Sequence, residues 1–131
     1  MTAPLPYLAF PGMARDALGF YRDVFGGDLS LHTFEQFGRT DGPGGLIAHG
    51  VLTGPVSLAG SDTAVGEEPL HLEGVLFALL GTAAPDVLTR WFDALAEDGR
   101  VVDPLEARPW GATDGRVRDR YGVSWLVGWE H

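Results

Sequence analysis

Cysteine is absent from the 131 residues, which removes disulfides, thiolate catalysis and cysteine-ligated zinc from the chemistry open to the chain. Lysine is absent as well. All nine cations are arginine, set against eighteen carboxylates for a formal net charge of -9, and the missing lysine reads as compositional bias rather than chemistry. No basic block interrupts that acidic average, so nucleic acid and anionic membrane surfaces are repelled and not expected as partners. No apolar run approaches the roughly 18 to 20 residues that a membrane span needs. The first residues, Met1-Thr2-Ala3-Pro4-Leu5-Pro6, carry no charged segment leading into an apolar one, so no secretory signal is expected. The expectation is a soluble, cytoplasmic protein. Hydrophobic residues still make up 45% of the chain and charged ones only 21%, which is enough to bury a core.

The hydrophobic period changes along the chain in an order that repeats. Residues 5–10 read as a strand closed by Pro11-Gly12, and Met13, Ala17, Phe20, Tyr21 and Val24 then fall at helical spacing up to a stop at Gly26-Gly27. Residues 28–37 look extended, 39–45 form a loop, and 46–52 and 56–59 read as strands joined through Thr53-Gly54-Pro55. A polar, acidic connector follows over residues 60–69. The order then recurs: a strand over 72–80 interrupted at Glu73-Gly74, a helix over 85–97 with Leu88, Trp91 and Leu95 as its buried stripe, and extended segments over 100–105, 115–119 and 123–129. Each half is a strand, a helix and three strands, offset by about 70 residues. A half of about 60 residues covers too little of its sheet alone. The reading is an α+β fold: one domain over residues 1–131, built from two βαβββ modules at about 4–60 and about 70–131, with curved mixed sheets around a cavity.

The residues that give this order a family likeness are Pro6-Tyr7-Leu8, the run Phe20-Tyr21-Arg22-Asp23-Val24-Phe25-Gly26-Gly27, His49 within Ala48-His49-Gly50-Val51-Leu52, and Leu58-Ala59-Gly60-Ser61-Asp62. Trp110-Gly111 and the stretch Val117-Arg118-Asp119-Arg120-Tyr121-Gly122-Val123-Ser124-Trp125 complete them. With these motifs the chain resembles the vicinal oxygen chelate superfamily, which includes glyoxalase I, extradiol dioxygenases and bleomycin-resistance proteins, and within it the PhnB-like branch. The resemblance implies four inward positions that grip one divalent ion in metal-using members. They map here to about Pro6, His49, near Val75 and Trp125. One competent ligand in four leaves no metal site of that type, so no cofactor is expected, a divalent metal in another arrangement being the alternative. A ubiquinone-pathway methyltransferase label, sometimes attached to this branch, finds no support: the glycines at 42–45 precede a strand instead of joining a strand to a helix.

His49 shares its strand face with Ile47 and Val51. It has three readings: a pocket-lining group, a catalytic base, or a structural histidine satisfied by a backbone carbonyl or by Tyr7. His71 beside Glu73, and His32 with Glu35, are weaker candidates for a metal. Aromatic rings are too numerous for a lean core, so Tyr7, Phe37, Trp110 and Trp125 join His49 as candidate ligand-pocket residues. Trp125 alternatively fills vacated space. Arg116, Arg118 and Arg120 alternate and share a face, either attracting a carboxylate or phosphate, or forming a solvated face or an edge-strand guard whose charges pair with acids. Two functions follow. One is a metal-free protein that binds a planar or apolar small molecule, as in antibiotic sequestration. The other is a lyase, isomerase or dioxygenase that uses a metal or His49 as general base. The resemblance also implies a homodimer.

Overall fold

The two periods resolve into eight strands and two helices in a computed structural model, which describes residues 3–131. The chain divides into two compact units, one ending at Leu70 and the other running His71–His131. In the first, β1 (Tyr7–Phe10) leads to α1 (Ala14–Phe25), and β2 (Asp28–Thr33), β3 (Ile47–Thr53) and β4 (Leu58–Asp62) follow. The second repeats this as β5 (Phe77–Leu80), α2 (Pro85–Ala96), β6 (Arg100–Arg108), β7 (Ala112–Arg118) and β8 (Ser124–Glu130). The sheet orders, β1-β4-β3-β2 and β5-β8-β7-β6, are the same arrangement twice. In each, the first strand pairs parallel with the last and the other pairs are antiparallel. The α+β reading of two βαβββ modules therefore holds.

Each helix buries one stripe against its own sheet. α1 turns Ala14, Ala17, Leu18, Tyr21 and Phe25 inward, and the first unit's core also takes in Leu8, Phe10, Leu52 and Leu58. That face is rotated from the expected one: Met13 precedes the helix, and Phe20 and Val24 are only half-buried. α2 buries Leu88, Trp91, Phe92 and Leu95, and Val117, Trp125 and Val127 are buried on β7 and β8.

Two expected strands are shorter than their composition suggested. Residues 28–37 stop being extended at Thr33. There the Thr33 backbone N–H donates to Gln36 Oε1 at 2.8 Å and the Gln36 N–H donates to Thr33 Oγ1 at 3.1 Å. This reciprocal pair is a capping box, and it closes a helical turn. The expected strand over 72–80 is confined to Phe77–Leu80. Gly74 lies at φ 68°, outside the extended region that side-chain-bearing residues favour. β6 in contrast extends to Arg108 and contains Pro104. It is an edge strand with two register irregularities, which is where a proline is tolerated in a sheet.

Candidate functional site

The face of the first sheet turned away from α1 gathers polar aromatic side chains. Ser30, Val51, Ala59 and Tyr7 lie in one register row, and His32 sits directly opposite His49 on the neighbouring strand. The Tyr7 hydroxyl and His49 Nδ1 are 2.9 Å apart, and their rings stack with centroids at 5.6 Å. Either the phenol donates to Nδ1, or Nδ1–H donates to the phenol oxygen. In both tautomers Nε2 has no hydrogen-bond partner among the described residues. His32 stacks on Phe37 at 5.3 Å, with Ser30 Oγ 3.4 Å from its Nε2. Tyr7 and Phe37 remain 52% and 54% exposed. Tyr7, Phe37 and His49 thus share this patch. His32, a weak metal candidate with Glu35 in the sequence, sits against Phe37.

The second unit places its two candidates differently. Trp110 stands in the turn between β6 and β7, 72% exposed. It walls a cavity of about 410 Å³ with Leu80, Gly81, Thr113, Trp129 and Glu130. The polar groups at this cavity are few and mostly engaged. Asp114 receives Arg108 Nε at 2.9 Å, and the Thr113 hydroxyl is 2.6 Å from His131 Nε2. Trp129, opposite Thr113 in the β7–β8 ladder, also reaches the cavity.

Trp125 is a core residue, 1% exposed, edge-on to Phe77 at 5.4 Å. Its indole N–H donates to Asp119 Oδ2 at 2.9 Å, while Asp119 Oδ1 accepts the backbone N–H groups of Tyr121 and Val123 at 2.8 and 3.1 Å. Asp119 therefore fixes both the turn into β8 and the indole. The partner six residues on is not legible in the sequence.

The row of three arginines also breaks up. Arg116 and Arg118 lie on β7, but Arg120 falls beyond the strand, donating to the Glu97 carbonyl at 3.2 Å and lying 3.5 Å from Asp98. His71 and Glu73 approach to 3.4 Å on largely exposed side chains.

A divalent ion does not fit the positions that the family resemblance assigns. Proline at 6 and valine at 75 offer no donor, and the indole nitrogen of Trp125 is a hydrogen-bond donor already committed to Asp119. Among the described residues no group of three or more His, Cys, Asp or Glu side chains is placed to hold a metal. No described helix is long and apolar enough to cross a membrane.

Comparison with known proteins agrees with this architecture. The solved structure of protein PA1353 from Pseudomonas aeruginosa is 32% identical with a TM-score of 0.82, covering 99% of this chain and 98% of that one. A PhnB protein from Bacillus cereus superposes with a TM-score of 0.79 at 22% identity, covering 98% and 99%. Protein YjdN of Escherichia coli (strain K12) is 27% identical, over 93% of this chain and 91% of that protein. The family model described as Glyoxalase/Bleomycin resistance protein/Dioxygenase superfamily matches residues 5–127. That span takes in both helices and every strand but the end of β8, so the chain belongs to this superfamily.

Proposed function

We propose that the protein binds a small planar or apolar molecule without a metal ion, holding it by shape and aromatic burial. The observation that carries this reading is the cavity of about 410 Å³ walled by Trp110 and Trp129. Its volume falls within the roughly 300 to 1,000 Å³ of small-molecule sites. Flat rings there bury ligand area at little entropic cost and stack on planar groups. The proline, valine and indole at the family's metal positions favour holding over activation. Sequestration of an antibiotic-type molecule is one form of this function, and the family resemblance supports a homodimer as its setting.

Nile red, a flat uncharged dye, provides the test. It should bind with a blue-shifted emission, and Trp110→Ala or Trp129→Ala should weaken it by about tenfold, as expected when an aromatic contact worth about 1.4 kcal/mol is lost. Unchanged affinity in both variants overturns the assignment. So does a stoichiometric, tightly held divalent metal in protein purified without a histidine tag.

A second reading is favoured by the Tyr7–His49 contact, which orients an imidazole with Nε2 presented on an exposed sheet face. In that reading His49 is a general base. A His49→Gln variant that keeps Nile red affinity but loses a measured turnover would move the assignment to it.

A further inference from the structure

The face of the second sheet turned away from α2 sets positive charge against positive charge. Arg100 on β6 and Arg118 on β7 are direct register partners, and Arg118 has Ser124 of β8 on its other side. Like charges directly opposite one another weaken a strand pair. Acids are twice as numerous as cations in this chain, so a carboxylate would be the readier neighbour. Elsewhere the acids do this work: Arg39 sits 2.6 Å from Asp41, and Arg108 2.9 Å from Asp114. Among the described residues Arg118 reaches only the Ser124 hydroxyl, at 3.4 Å. The guanidinium of Arg100 has no hydrogen-bond or ion-pair partner among the described residues. Arg116, on the same face, has Asp103 at a loose 3.7 Å. Nor do Arg116 and Arg118 guard a sheet edge, because β7 is an interior strand.

All three arginines and Ser124 line one cavity of about 220 Å³, whose remaining wall is largely aliphatic: Val75, Leu76 and Val102. A guanidinium is permanently charged and presents parallel N–H groups that match two oxygens of a carboxylate or phosphoryl group. An oxyanion between Arg100 and Arg118 would replace their repulsion by two charge-assisted contacts. We propose that this cavity binds a small organic anion, with its carboxylate or phosphoryl oxygens between Arg100 and Arg118, the Ser124 hydroxyl and Arg116 completing the polar side, and its apolar body on Val75, Leu76 and Val102. The site is built by second-unit residues other than the two tryptophans that carry the proposed function, so the two assignments stand or fall separately.

Calorimetric titration with inorganic phosphate, phenyl phosphate and benzoate at constant ionic strength tests it. One of the two aromatic anions should bind more tightly than inorganic phosphate, and which of them binds better assigns the phosphoryl or the carboxylate head. Arg100→Gln and Arg118→Gln should each weaken that anion by about tenfold or more, equivalent to about 1.4 kcal/mol. Arg90→Gln, an exposed change on α2 with the same effect on net charge, should leave it unaltered. Without anion, Arg100→Gln should melt no lower than the parent, since it removes one of two opposed charges. The proposal is overturned if none of the three anions binds at millimolar concentration, if both groove variants keep their affinity, or if Arg90→Gln weakens binding as much as they do.

Discussion

Asp62 is the side chain on which the first unit's assembly turns. Nothing in the helix's own N-terminal sequence caps α1: Met13 makes no side-chain cap. The buried Asp62 carboxylate does so from β4, accepting the Ala14 N–H through Oδ1 at 2.8 Å and the Ile47 N–H through Oδ2 at 2.9 Å. It also places negative charge at the positive end of the helix. Asp62→Ala strands two buried donors and should cost about 3 kcal/mol in urea unfolding; Asp62→Asn, which keeps one acceptor oxygen, should cost less. Exposed Asp41 makes a contrasting case. The hydrogen bond from Arg39 holds its carboxyl below the ordinary aspartate value, and Asp41 in turn holds Arg39 above the ordinary arginine value. Because the folded-state value of Asp41 is lowered, its contribution is complete above the unfolded pKa of about 3.9 and is lost as pH falls through the folded one. Asp41→Asn should therefore flatten the acid limb of a melting temperature against pH profile and leave the alkaline limb alone. At this scale the sequence showed which side chains carry chemistry and, for His49, offered Tyr7 as a partner, the two lying 2.9 Å apart. Other partners were not legible: His32 faces His49 only through a register that the bulge at His32/Thr33 helps set.

Among the elements, the twofold repeat was the legible part, because helix and strand periods are local properties and both halves carry them in the same order. What escaped was local chemistry that overrides period. The Thr33–Gln36 capping box was present in the sequence as T-x-x-Q and ends β2 four residues before its apolar pattern does. The last strand of each sheet also carries a glycine held against neighbouring backbone: Gly60 of β4 pairs with Leu8, and Gly128 of β8 pairs with Leu80 and lies beside Asp114 of β7. A Cβ at residue 60 would lie 2.6 Å from the Leu8 carbonyl oxygen, and one at residue 128 would overlap the Thr113 carbonyl oxygen and crowd Asp114. Backbone cannot step aside as a flexible side chain can, so Gly128→Ala should destabilise by about 2 to 3 kcal/mol. Equilibrium unfolding checks it, and the substitution should cost more than Gly45→Ala, where a Cβ meets nothing within 4 Å.

For the whole molecule the governing quantity is charge. Eighteen carboxylates against nine arginines leave -9 to be tolerated in the folded state. Two opposing salt effects follow. Added salt screens the self-repulsion of the acidic surface, with a Debye length of about 10 Å at 0.1 M. It also weakens the exposed ion pairs, such as Arg22–Asp23 at 3.4 Å and Arg116–Asp103 at 3.7 Å, but such pairs are each worth about 0 to 1 kcal/mol at most. The unpaired excess of acid should therefore dominate, and the melting temperature should rise from low-salt buffer to physiological ionic strength. The same screening acts between copies, since two chains of equal negative charge repel as they approach. If the protein pairs as its family resemblance implies, the dimer fraction should rise with salt, and melting should become dependent on protein concentration. Sedimentation velocity separates the two effects. A melting temperature that rises with salt while the species stays at monomer mass assigns the gain to the single chain and removes the homodimer, whereas a melting temperature that falls with salt shows that the ion pairs outweigh the repulsion.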